Sequence, residues 1–245
     1  MKPLNADLLS SIKNITSWVN QNHWAEMSAG NFSVWRGQKK QPYRIATKKA
    51  LTLDFHKPLE SLANGLILIS KSGSRFRDIA HQPQAHLGFI AINASGTCGT
   101  AFSPYGKDFY PSSEWWIHLL SHHTLQRNHP EKIALLHAHT LYSTALAKHY
   151  PKVSAEKINA FLSQSHHEMK LVFPKGIGFT YPHEPGSNEL AHETAQCFAD
   201  FDVIWWPRHG SISTGKSLEE AFDRMDTSEK NAQLAMLGIN ENFLE

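Results

Sequence analysis

The sequence predicts a single α/β domain covering residues 1–245. Short apolar runs rich in strand formers alternate with longer segments of helical periodicity. No repeat, low-complexity tract or interdomain linker interrupts the chain. With 245 residues and 41% hydrophobic content, the chain is long enough to bury one sizeable core.

The elements follow in order. Leu8, Leu9, Ile12, Ile15, Trp18 and Val19 recur at helical spacing and predict a helix over 7–21. Ser28-Ala29-Gly30-Asn31 breaks that pattern, and Phe32 to Trp35 alternates like a strand. Residues 37–50 are basic, contain Pro and Gly, and read as a surface loop. Gly65 to Ile69 is a strand ending in the turn Ser70-Lys71-Ser72-Gly73-Ser74. Leu87 to Ile92 is another, and Thr97 to Phe102 pairs with it across the intervening turn. Pro111-Ser112-Ser113-Glu114 opens a helix, with an acid in the first turn. Ile133 to His139 is a compact strand followed by a helix through Ala147. Leu171-Val172-Phe173 reads as a strand entering a Pro174-Lys175-Gly176 turn. Residues 187–200 are helical, and Val203 to Trp206 is a buried strand running into Pro207-Arg208-His209-Gly210. Ser217, with Glu220 three residues on, caps the last helix.

Composition narrows the function. A formal net charge of +2 makes neither nucleic acid nor an anionic membrane the main partner. No apolar run approaches the roughly 20 residues needed to span a bilayer. The first residues lack the apolar stretch of a signal peptide. Cys98 and Cys197 form no CxxC or dense disulfide pattern and read as buried small residues in a reducing, cytoplasmic setting. The sixteen histidines are the oddity and direct the search toward metal spacing.

His137-Ala138-His139 is the sharpest signal. On a strand, alternation sends both imidazoles out of one face, where they can ligate one divalent ion. His209 also follows an apolar strand, and Gly210 permits close backbone approach. Three histidines and an exchangeable position suit a catalytic zinc better than a structural one. Glu114 is the natural fourth ligand, or a base beside the metal. The clusters around Ser28-Ala29-Gly30-Asn31, Ser72-Gly73-Ser74 and Ser112-Ser113 offer hydroxyls and amides that could surround a phosphate. Glu168, in Ser165-His166-His167-Glu168, reads locally as a solvated acid.

Taken in order, Ala29-Gly30-Asn31-Phe32-Ser33, Ser70-Lys71-Ser72-Gly73, Pro111-Ser112-Ser113-Glu114, His137-Ala138-His139 and Arg208-His209-Gly210 resemble the class II aldolase/adducin family. The likeness extends to His118-Leu119-Leu120-Ser121-His122, to Val172 through Gly178 and to Asp226-Thr227-Ser228-Glu229-Lys230, and so to most of residues 18–236. It implies a largely antiparallel central sheet with helices on both faces, and a cyclic homotetramer with sites at subunit interfaces. It implies a Zn²⁺-dependent aldolase acting on a phosphorylated ketose. His137, His139 and His209 match the metal histidines, and Glu114 matches a glutamate that is both metal ligand and acid/base. Glu168 matches a second catalytic glutamate, contributed by a neighbouring subunit. Gly30, Asn31, Ser72, Gly73, Ser112 and Ser113 fall on the phosphate-binding segments. Ser28 stands where the pattern carries an asparagine, Met27 replaces a polar residue and Ser112 replaces a threonine. Epimerase and dehydratase members share the histidine cluster. Loss of the metal ligands would mark a non-catalytic, adducin-like binding module, and all three histidines are present here.

Overall fold

A computed structural model describes residues 4–39, 50–105 and 108–238 of the chain. Its centre is a nine-stranded sheet. In chain order the strands are β1 (Asn31–Gln38), β2 (Leu51–Asp54), β3 (Gly65–Ser70), β4 (Leu87–Ile92), β5 (Cys98–Phe102), β6 (Ala134–Ala138), β7 (Gly178–Phe179), β8 (Val203–Trp206) and β9 (Gly210–Gly215). Their spatial order is β2-β5-β4-β3-β1-β6-β9-β8-β7, and every pairing except β7 with β8 is antiparallel. The expected α/β fold with a largely antiparallel sheet is therefore what the chain adopts.

The central strands are buried on both faces, so alternate residues feed two separate cores. On one side Trp35, Ile67, Ile69, Ile90, Leu135, Ile204, Trp206 and Ile212 pack against α3 (Trp115–Asn128) and α7 (Asn188–Cys197). On the other, Phe32, Val34, Leu66, Leu68, Phe89 and Leu136 pack against α1 (Ala6–Gln21), α2 (Phe76–His81) and α8 (Leu218–Leu237). A third cluster joins α4 (Leu141–Ala147), α5 (Ala155–Ser165) and α6 (Glu168–Val172) to the β7–β8 end of the sheet and to α8. Trp205 and Trp206 point to opposite faces. The Trp205 indole donates to Ser228 of α8 (2.8 Å), and the Trp206 indole donates to Thr194 of α7 (2.9 Å).

The structure departs from the sequence expectations at several places. The segment containing Leu171-Val172-Phe173 is a short helix, not a strand. Met169 and Phe173, four residues apart, are buried while Leu171 is exposed, which is a helical face and not an alternating one. The helix expected to open at Pro111 starts at Trp115. Ser112 and Ser113 lie in the preceding turn, and Glu114 occupies the N-cap position. Of the loop expected over 37–50, Gly37 and Gln38 belong to β1, and residues 40–49 lie outside the described residues. Cys98 and Cys197 are half-buried, not buried. At α8, Ser217 accepts from the Glu220 amide, but the Glu220 carboxylate accepts from Lys216 N–H, one residue before the position a capping box uses. Among the described residues no helix is long and apolar enough to cross a membrane.

Two tertiary devices hold the region around His139. Thr140, the N-cap of α4, makes no side-chain cap bond. Glu229 of α8 supplies it instead, accepting from Tyr142 N (2.7 Å) and Ser143 N (2.9 Å). Burial pushes the Glu229 carboxyl up, against the pull of those two amides. Glu229→Ala would leave two helix-start donors buried and unpaired. A loss of about 1–3 kcal/mol is expected in urea unfolding. An unchanged midpoint would mean that Glu229 contributes nothing to the start of α4.

The second device is α3, which buries His118 and His122 completely against the sheet. Burial pushes both from 6.5 down to about 3. The folded chain therefore holds them neutral where the unfolded chain protonates them. Their contribution to stability is present above pH 6.5 and lost as pH falls from 6.5 toward 3. Across that window each lowers stability progressively as pH falls. Metal-free His122→Gln should accordingly show a shallower fall of Tm between about pH 7 and pH 5 than the parent chain. Equal slopes would refute the assignment of a neutral buried ring.

Candidate metal centre and active site

Three structural pieces bring the histidines together. His137 lies in β6, and its ring faces the same side as Leu135, toward α3. His139 follows directly, its amide held by the Trp24 carbonyl at 2.8 Å. His209 comes from the β8–β9 turn, which closes by a bond from His209 N to Trp206 O (3.0 Å). Arg208 sits in that turn at φ +66°, an unusual conformation for a residue with a Cβ. Gly210 is required next, because a Cβ there would meet the Ala138 carbonyl at 2.4 Å.

The three rings have centroids 4.8–5.3 Å apart. One nitrogen of each lies within 4.8 Å of the others. Their hydrogen bonds set the tautomers. His137 Nδ1–H donates to the Ser211 carbonyl at 2.9 Å, and His139 Nδ1–H donates to Glu26 Oε1 at 2.6 Å. Both rings thereby turn an Nε2 lone pair inward. His209 Nδ1 is buried with no partner among the described residues, while its Nε2 faces Glu114. Burial, reinforced by the neighbouring imidazoles, pushes His137 well below its ordinary value. It takes His209 to about 3, against the opposing pull of Glu114. These rings are neutral, so the 3.5 Å approaches of Glu114 Oε2 to His137 Nε2 and of Glu114 Oε1 to His209 Nε2 are not ion pairs. Neutral imidazoles with converging lone pairs, and a carboxylate straddling two of them, fit a divalent cation of the zinc type.

Glu26 was not singled out from the sequence. Partial burial pushes its carboxyl up, but the His139 bond and the nearby imidazoles outweigh that and hold it below its ordinary value. It plays the orienting part that a carboxylate commonly takes behind a ligating histidine. No local pattern marks it, because its partner is 113 positions away.

The cluster forms the floor of a cleft of about 1220 Å³. Gly30, Asn31, Ser72, Gly73, Ser112 and Ser113 all line this cleft, together with Ser28. Not all of their groups are free. The Ser72 amide donates to Tyr110 O and the Ser112 amide to Ser70 O, so those two residues can offer an anion only their hydroxyls. The Asn31 side chain donates to Glu114 Oε2 at 2.7 Å. Lys71, Lys148 and Arg208 add cationic side chains to the lining. Glu168 is the one expected site residue outside the cleft. It is the exposed first residue of α6.

Comparison with known proteins agrees with this geometry. The family model for the class II aldolase and adducin N-terminal domain matches residues 11–236. A rhamnulose-1-phosphate aldolase of Listeria innocua is 26% identical over 99% of this chain and 89% of its own length. One from Salmonella dublin is 29% identical over 86% of this chain and 78% of its own length. The crystal structure of a sugar-phosphate aldolase from Thermotoga maritima superposes with a TM-score of 0.79 at 25% identity, covering 96% of this chain and 97% of that one. The antiparallel sheet, the three converging histidines with Glu114 and the family match over nearly the whole chain lead to one conclusion: this chain belongs to the class II aldolase and adducin family.

Proposed function

We propose that the chain is a zinc-dependent aldolase that cleaves L-rhamnulose 1-phosphate to dihydroxyacetone phosphate and L-lactaldehyde, acting as a homotetramer. The observation that carries this reading is the convergence of His137, His139, His209 and Glu114 on the floor of a cleft lined with hydroxyls and cations. The match to rhamnulose-1-phosphate aldolases over 99% of the chain supports the choice of sugar.

His137, His139 and His209 would hold the ion, with Glu114 as the fourth group. A divalent cation there supplies Lewis-acid stabilisation of the negative charge that C–C cleavage leaves on the former carbonyl oxygen. The chain's own groups do the rest. Hydroxyls of Ser72, Ser112 and Ser113, with the Gly30 and Gly73 segments, would anchor the phosphate and fix the orientation of the reacting end. A base must take the proton of the hydroxyl that becomes the aldehyde. Glu168 of a neighbouring copy is assigned that part, since in its own chain it lies outside the cleft. As the C–C bond breaks, its electron pair passes to the three-carbon fragment. Glu114, lying over the imidazoles, would take up a proton from water and pass it to that carbon. Two carboxylates in different surroundings can divide the two transfers.

The test is product formation from L-rhamnulose, L-fuculose and L-ribulose phosphates, with metal content measured on the same samples. L-rhamnulose 1-phosphate should be cleaved fastest by protein carrying one zinc per chain. His137→Ala should lose both metal and cleavage while keeping its far-ultraviolet dichroism. Metal retained by that variant would remove the site as proposed.

The two glutamates separate by a second measurement. Glu168→Gln should cut cleavage by about 10²–10⁴-fold and spare exchange of a dihydroxyacetone phosphate proton with deuterium, which needs no aldehyde chemistry. Glu114→Gln should impair both. Exchange abolished by Glu168→Gln and intact in Glu114→Gln would reverse the assignment.

A further inference from the structure

Glu114, His118 and His122 recur at four-residue intervals along the start and body of α3, and so form one stripe facing the sheet. Beneath them Asn31 and Ser33, alternate residues of β1, share one face. Four helical residues rise about 6 Å and two strand residues about 6.8 Å, so the two rows keep step over this length. The side chains interleave. Asn31 Nδ2 meets Glu114 Oε2 at 2.7 Å, and Asn31 Oδ1 meets His118 Nε2 at 2.5 Å. Ser33 Oγ meets His118 Nδ1 at 2.7 Å and His122 Nε2 at 2.8 Å. All five residues are buried.

The donors can be followed from one end. Asn31 gives its N–H to the carboxylate, so its carbonyl oxygen accepts from His118 Nε2–H. A neutral His118 then accepts at Nδ1 from the Ser33 hydroxyl, whose oxygen accepts from His122 Nε2–H. The opposite direction needs Asn31 turned over and a proton on Glu114. Beyond His122 the row stops, for His122 Nδ1 is buried without a partner among the described residues. A dead end of this kind can orient a group but cannot conduct a proton away.

We propose that His122, Ser33, His118 and Asn31 form a one-way hydrogen-bond row that fixes the plane of the Glu114 carboxylate over His137 and His209, with the Asn31 side chain as the positioning group that meets the carboxylate. The catalytic consequence rests on the reading of Glu114 given above, whereas the direction of the row does not.

Long-range ¹H–¹⁵N spectra of the metal-free chain test the direction. His118 and His122 should both be neutral Nε2–H tautomers from about pH 8 to about pH 5. An Nδ1–H tautomer at either ring overturns the proposal. In Ser33→Ala, His118 should stay Nε2–H, pinned by Asn31, while His122 becomes a mixture of tautomers; no change at His122 also overturns it. Asn31→Ala should lower kcat about 10–100-fold, with a smaller change in KM for the phosphorylated ketose. A raised KM with kcat preserved would overturn the positioning role of Asn31. If the parent chain cleaves none of the sugar phosphates, the reading of the function fails, yet the tautomers still decide the row.

Discussion

The site depends on the register between β1 and β6. Their antiparallel pairing sets Asn31 opposite His137 and Ser33 opposite Leu135. Side chains alternate along a strand, so a slip of one residue in β1 would turn Asn31 and Ser33 to the far face and leave His137 behind. There they would meet the apolar layer that receives Phe32, Val34 and Leu136. The pattern forbids this, since Phe32 and Val34 would then be moved out of it. Burying two hydrophobic layers thus also decides where the polar residues point. The helix above reads the same register, because its polar stripe has no hydrogen-bond partners on the wrong face.

Burial plays two parts at this floor. It keeps His118, His122, His137 and His209 uncharged, which leaves imidazole lone pairs for a cation and lets a chain of neutral hydrogen bonds form under it. It also makes each orphaned polar atom expensive, so orienting partners matter. The Ser211 carbonyl and Glu26 serve His137 and His139, and Asn31 serves Glu114. His209 lacks such a partner at Nδ1 among the described residues, and its ring is held instead by stacking on Trp206, with centroids 5.1 Å apart.

What was legible in the sequence was what local patterns carry. The apolar runs at Gly65–Ser70, Leu87–Ile92, Ala134–Ala138 and Val203–Trp206 are strands because their residues are buried on both faces. The histidine cluster was legible because two of its members sit at adjacent outward positions and the third follows another such run. β9 escaped because Gly210-Ser-Ile-Ser-Thr-Gly is poor in apolar residues; its burial comes from neighbours on both sides, not from its own composition. α6 was mistaken for a strand because three consecutive apolar residues carry no period of their own, and only Met169 packing inward with Phe173 reveals a helix. Glu26 and the Asn31 bond to Glu114 were beyond reach, since each joins residues more than eighty positions apart. Asn31 reads from the sequence as part of a phosphate-binding segment, and nothing local marks its bond to Glu114.

The adjacent indoles of Trp205 and Trp206 tie β8 to α8 on one face and to α7 on the other, so the strand beside the three clustered histidines is fastened through the full thickness of the molecule. Met27, Leu141, Lys148 and Arg208 stand exposed around the cleft's rim or beside it. Over evolutionary time, the two regions are free to drift at different speeds. A lineage can exchange exposed rim residues without disturbing the machinery beneath. A change at the riveted floor would disturb both helical layers at once, so innovation in such a scaffold is confined to its lip.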